Sequence, residues 1–272
     1  PVYDASNPGP NSTIVMIDNR NGQEYTVRKL KDNKCWMIDN LKLELGVQDS
    51  DPIKDTTTLE PSNTNVTETK TVALATGGRT GGSNFTTTGL LTVDNTDASG
   101  TNYDNYNAWR QVDPSNATSC ANGNAYNSNS KTGCGYLYNF YTATASTVDN
   151  TKINGKADYS ICPVGWRLPS GQNSSGDYGN LDTKYDGGNG GAHYDNIITQ
   201  GLWLSAGAWQ GAFSGRYSIE LNGQGSSGTY WSSTIVSSYN AYSTFFYGSG
   251  VNPGNNNAYS RYNGFAIRCL VS

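Results

Sequence analysis

Two cysteine-bearing segments constrain this 272-residue chain more than any other feature. One is Cys162-Pro163-Val164-Gly165-Trp166-Arg167-Leu168-Pro169, and the other is the closing Gly264-Phe265-Ala266-Ile267-Arg268-Cys269. A Cys162–Cys269 bridge would hold a C-terminal strand to the middle of the fold. It would close a loop of about 100 residues, contributing ~4–5 kcal/mol in the chain-entropy model. Cys120 and Cys134 bracket a polar Asn/Gly/Ser stretch, which suits a local loop staple. Cys35 is then left over, as a buried thiol or with a partner outside these residues. The alternative is five reduced core cysteines, as a reducing compartment would keep them. There is no Cys-x-x-Cys pair and His193 is the sole histidine. A structural zinc site needs four clustered ligands, so the spacing argues against one.

Composition explains what covers such a frame. Charged residues make up only 15 % of the chain, while glycine reaches 32 residues and tyrosine 19. Ordinary domains carry about 25 % charge. Strands and turns suit Tyr, Thr, Val, Gly and Asn better than helices do. The expectation is therefore a strand- and loop-rich protein with a few short helices. The net charge is −4 and no Lys/Arg run exists, which argues against a nucleic-acid partner. No stretch approaches the roughly 20 apolar residues that span a bilayer. The chain begins at Pro1 rather than Met, leaving room for a leader, signal or anchoring helix upstream.

Read along the chain, Thr13–Asp18, Glu24–Leu30 and Cys35–Ile38 form a β-meander, its first turn marked by the Asn21-Gly22 step. Residues 46–105 are rich in Thr, Asn, Asp and Gly and read as an insertion within one domain spanning 1–272. Gly135–Ala145 and Asp177–Tyr185 read as short helices. Leu202–Trp209, Tyr217–Leu221, Thr229–Ile235, Ala241–Tyr247 and Phe265–Val271 read as short strands separated by Asn/Gly/Ser turns.

Five segments carry a family likeness. They are Lys34-Cys35-Trp36-Met37-Ile38-Asp39-Asn40-Leu41, Gly135-Tyr136-Leu137-Tyr138-Asn139-Phe140, Cys162–Pro169, Tyr230-Trp231-Ser232-Ser233-Thr234 and Gly264–Cys269. In this order they resemble the Fibrobacter succinogenes major paralogous domain family. The likeness runs from about Tyr25 to Val271, with 46–105 matching poorly. The resemblance implies a secreted or surface-displayed bacterial domain of α+β class. Its architecture would be C-type-lectin-like, related to the formylglycine-generating enzyme group. In that architecture the terminal strands lie together and a long loop region carries any binding site. The family's cysteine pattern matches Cys120 with Cys134 and Cys162 with Cys269, while Cys35 departs from it. The resemblance implies no general activity.

The residues that could carry chemistry are few. A Ser/His/Asp or Cys/His site would have to use His193, which lies in a glycine-rich loop and reads as a surface or hydrogen-bonded residue. Formylglycine-generating chemistry needs a close C-terminal cysteine pair, and only Cys269 is there. No motif singles out the two carboxylates of a glycosidase. The expectation is a non-enzyme. Asp94, Asp97 and Asp104 form an oxygen-rich loop that could hold Ca²⁺, but they lack the spacing of an EF-hand and its terminal Glu. The default is no cofactor. Carbohydrate binding would use aromatic faces flanked by amides, and the candidates are Trp203, Trp209, Tyr217, Tyr239 and Tyr242, with Tyr230 and Tyr247 also available. Trp209, set among small residues, is the expected exposed face, whereas Trp36, Trp166 and Trp231 lie in the motifs and read as core. The expected partners are a glycan or protein on another cell surface. The alternative is further copies of this chain, as in a pilin-like filament subunit.

Overall fold

A computed structural model describes residues 13–18, 23–43, 135–144, 152–163, 165–172, 175–188, 190–204, 207–218, 221–254 and 258–271, plus a few short strands between 58 and 111. The chain opens with strands β1 (Thr13–Asp18), β2 (Gln23–Lys29) and β3 (Cys35–Met37). Of the insertion, only β4 (Thr58–Leu59), β5 (Lys70–Thr71), β6 (Leu74–Ala75) and β7 (Phe85–Thr86) are described. Strand β8 (Trp109–Gln111) pairs with β9 (Tyr136–Tyr138), and helix α1 (Phe140–Ala143) follows. Next come β10 (Gly155–Lys156), β11 (Trp166–Arg167), α2 (Asp177–Lys184) and α3 (Asn196–Ile198), which runs into a π-helical turn at Thr199–Trp203. The rest is strand: β12 (Arg216–Tyr217), β13 (Leu221–Asn222), β14 (Ser227–Ile235), β15 (Asn240–Tyr247), β16 (Gly250–Asn252), β17 (Ala258–Ser260) and β18 (Leu270–Val271).

The paired strands are antiparallel and the helices few and short, which is the strand-rich α+β class expected. One sheet runs β1-β2-β3-β18-β11, so the last strand does lie beside the opening meander. A second five-stranded sheet centres on β14 and β15, flanked by β10, β16 and β17, and the remaining strands form two-stranded pairs. Several expected elements differ. Tyr217–Leu221 is not one strand: its ends belong to β12 and β13, which pair antiparallel with Tyr217 opposite Leu221. Tyr136–Tyr138 is a strand, and only Phe140–Ala143 is helical, begun where Asn139 Oδ1 accepts the Thr142 N–H at 2.8 Å. Leu202–Trp209 is not a strand. Leu202 and Trp203 lie in the π-helical turn that continues the helix capped by Asp195, and backbone bonds such as Trp209 N–H to Leu202 O at 2.9 Å fold the chain back on that turn.

The segment 265–270 separates two cores. Side chains of an extended chain alternate sides. Accordingly Phe265, Ile267 and Cys269 enter one cluster with Tyr25, Met37 and Trp231. Ala266 and Leu270 enter the other with Trp36, Trp209 and Tyr230. The backbone bonds outward on both edges. Ile267 O and Cys269 O accept from Leu41 and Met37, while Ala266 bonds Thr229 and Trp231. Only Leu270–Val271 counts as regular strand because the neighbour changes along the segment. Cys162 and Cys269 are bridged, next to the β11–β18 ladder. Cys35 is a free thiol, half-buried, and its pKa is raised by desolvation. Cys120 and Cys134 lie outside the described residues.

Strand β1 pairs only with β2 among the described residues, and it exposes Val15 at 62 % and Ile17 at 58 %. Natural edge strands usually carry a charge to block pairing. Here the six residues Thr13–Asp18 carry one, Asp18, and it is buried.

Candidate recognition surface

Four of the five aromatic residues expected at a ligand face are not displayed as such. Trp203 and Trp209 are fully buried, Tyr217 is buried beside Gly264, and Tyr242 is half-buried on β15. Tyr239 alone is exposed, in the turn before β15. The small residues around Trp209 do not project it; they let backbone close over it. A Cβ on Gly211 would sit 2.3 Å from Phe246 Cζ and from Trp203 O. Trp209 therefore packs edge-on to Tyr230 at 4.8 Å and Trp203 at 5.2 Å, with the Arg268 guanidinium 4.2 Å from its centroid. Of the motif tryptophans, Trp36 and Trp231 are core and Trp166 is half-buried against it. The calcium candidates Asp94, Asp97 and Asp104 lie outside the described residues. Among the described residues no group of three or more His, Cys, Asp or Glu is placed to hold a metal ion.

A different aromatic group is built around an exposed ring, Tyr194, with the half-buried Phe245 and Tyr247 beside it. Alternation along β15 puts Phe246 into the core and Phe245 and Tyr247 on the opposite face. Their rings are 5.7 Å apart, and Tyr194 continues the row 6.3 Å beyond Tyr247. Tyr194 is 79 % exposed. Gly250 lies beneath both tyrosines, where a Cβ would come within 2.8 Å of the Tyr247 hydroxyl and 2.9 Å of Tyr194 Cδ1. Desolvation, then the Tyr194 hydroxyl it bonds, raise the Tyr247 pKa. The strand register sets Ser227 opposite Tyr247 and Asn252 opposite Phe245, which flanks the rings with polar groups.

Tyr194 is held by its neighbour. His193 forms a two-way backbone bridge with Val251 of β16, at 2.9 and 3.0 Å. Its Nε2 lies 2.9 Å from Oδ2 of Asp182, a fully buried carboxylate on α2. The other oxygen accepts the Trp203 indole N–H at 2.7 Å. Burial raises the Asp182 pKa, against the pull of Trp203 and His193. With both oxygens engaged, Asp182 serves as an anchor, and His193 is the hydrogen-bonded residue expected.

Comparison with known proteins adds no relative. No family model, curated protein or solved structure matches the chain. The site therefore rests on its own geometry. Tyr194 and Phe245 are not among the residues that the sequence points to. For Phe245 a signal exists, because residues two apart in a strand share a face, which pairs it with Tyr247. For Tyr194 there is none, since its place depends on the His193–Asp182 contact.

Proposed function

We propose that this is a non-enzymatic recognition domain displayed outside a bacterial cell, C-type-lectin-like in architecture, which binds carbohydrate on the Tyr194–Tyr247–Phe245 shelf. The observation carrying this reading is Tyr194, 79 % exposed yet seated over Gly250 on a sheet. An aromatic ring held rigidly in water offers an apolar face at little ordering cost. Sugars present such faces, with hydroxyls at the rim for Ser227 and Asn252. A disulfide supports an oxidising location. Among the described residues no helix is long and apolar enough to cross a membrane. A glycan array probed with the wild type and with Tyr194→Ala or Tyr247→Ala tests the reading. Binding should fall at least about tenfold in either variant, as for a contact worth over 1 kcal/mol. An array blank with and without calcium would sink it.

A second reading, a subunit that assembles with copies of itself, is favoured by β1. Two copies paired antiparallel through β1 would continue the sheet, satisfy its open backbone edge and set Val15 and Ile17 of both against each other on one face. Light scattering behind size exclusion should then show mass rising with concentration, and Val15→Lys with Ile17→Lys should restore the monomer. A wild type monomeric at every concentration counts against assembly through this edge.

A further inference from the structure

A cleft of about 260 Å³ opens between the segment after β10 and strand β11, lined by Lys156, Asp158, Tyr159, Ser160, Arg167 and Ser233 among others. Drug-sized ligands occupy roughly 300–1,000 Å³, so this space suits a single small ring. One wall is fixed where β10 pairs with β14, Lys156 opposite Thr234, and where the Ala157 N–H donates to Ser233 O at 2.8 Å.

Arg167 makes the other wall, and its guanidinium is already in position. Nη1 donates to Asp177 Oδ2 at 2.6 Å and to Leu168 O at 3.1 Å, and Nη2 donates to Asp177 Oδ1 at 3.0 Å. A guanidinium has five N–H donors, so these contacts leave about two for a ligand. Asp177 is itself locked, accepting from Lys34 at 2.6 Å and from the Ser170 N–H at 2.7 Å. Burial alone would raise its pKa, yet Arg167, Lys34 and Ser170 together hold it well below the usual carboxylate range. Holding Arg167 this way lowers the ordering cost of binding.

The charge on the lining is not balanced. Asp158 is matched by Lys152 at 2.9 Å, and Arg167 by Asp177. Lys156 is exposed and has no ion pair among the described residues, in a chain whose net charge is −4. Tyr159, Ser160 and Ser233 complete the polar part of the lining.

We propose that this cleft binds a small carboxylate that also carries hydroxyl groups, the chemistry a uronic acid presents. The carboxylate lies between Lys156 and Arg167, and the ligand hydroxyls meet Asp158 and the serines. The site stands apart from the tyrosine shelf, since Lys156 aligns with Thr234 at one end of β14 and Tyr247 with Ser227 at the other.

Calorimetric titration with D-glucuronate, D-glucose and acetate tests the proposal. Glucuronate should bind at least about tenfold more tightly than either control, since glucose lacks the charge and acetate the hydroxyls. Lys156→Gln should weaken glucuronate by about tenfold without shifting the melting temperature, because Lys156 is exposed. Tyr194→Ala should leave glucuronate binding unchanged, which separates this site from the shelf. A glucuronate-terminated disaccharide distinguishes the sources. Binding as tight as the monomer's supports a glycan end, and rejection supports a free sugar acid. Glucuronate binding no tighter than glucose or acetate, or unaffected by Lys156→Gln, would overturn the proposal.

Discussion

Removing the Cys162–Cys269 bridge should lower stability by ~4–5 kcal/mol, the largest single effect expected in this chain. The two cysteines are 107 positions apart, and a closed loop of that length restricts the unfolded chain strongly. Both sulfurs are buried in the cluster that holds Phe265 and Ile267, so the bridge also anchors the segment separating the two cores. The clean variant is Cys162→Ala with Cys269→Ala, which spares any other thiol. Scaled to a domain of this size, the loss corresponds to a fall of roughly 10–20 °C in melting temperature. Chain-entropy stabilisation would be ruled out as the bridge's main role if the double variant melts within a degree or so of the wild type.

Arg268→Met should be nearly as damaging, at about 3 kcal/mol or more. Arg268 is fully buried, and its hydrogen bonds go to uncharged acceptors. Nε donates to Asn40 Oδ1 at 2.8 Å, Nη2 to Gln210 O at 2.7 Å, and Nη1 to Trp209 O. Its plane lies over Trp209 at 4.2 Å and near Tyr230 at 5.3 Å. Replacing a buried charge by an apolar group can stabilise when the partners are replaced as well. Here they are not: Met strands two buried acceptors, Asn40 Oδ1 and Trp209 O, each costing about 1–3 kcal/mol, and the part-buried Gln210 O. Lysine keeps the charge but not the fork that spans three acceptors, so Arg268→Lys should also be destabilised. Urea unfolding midpoints check both variants. A midpoint for Arg268→Met equal to the wild type's would show that the acceptors find other partners.

Much of the frame is legible in the residues alone. The meander over Thr13–Met37 is read from alternation and one Asn-Gly turn, because neighbouring strands pair through local contacts. The strands β14 and β15 are read the same way, within two residues at each end. The C-terminal strand is legible only in outline. Its residues alternate as a strand should, but the ladder partners come from β3, β9, β11 and β14, which nothing in the segment itself announces.

The candidate surface is hardly legible at all. Trp209 and Tyr194 show why. Composition around Trp209 suggests exposure, yet small neighbours equally permit the close approach that buries it. Tyr194 sits in a polar, glycine-rich stretch with no motif, and becomes a shelf only because His193 is tied to Asp182 and Val251. Local periodicity and residue chemistry suffice for the strand-rich class, the segments that build the core and the two cysteines that frame it. They do not reach which aromatic rings meet water, which cations flank the cleft or which edge stays open. Those outcomes depend on contacts between residues far apart in the chain, such as the 228 positions between Asn40 and Arg268. No local pattern encodes them.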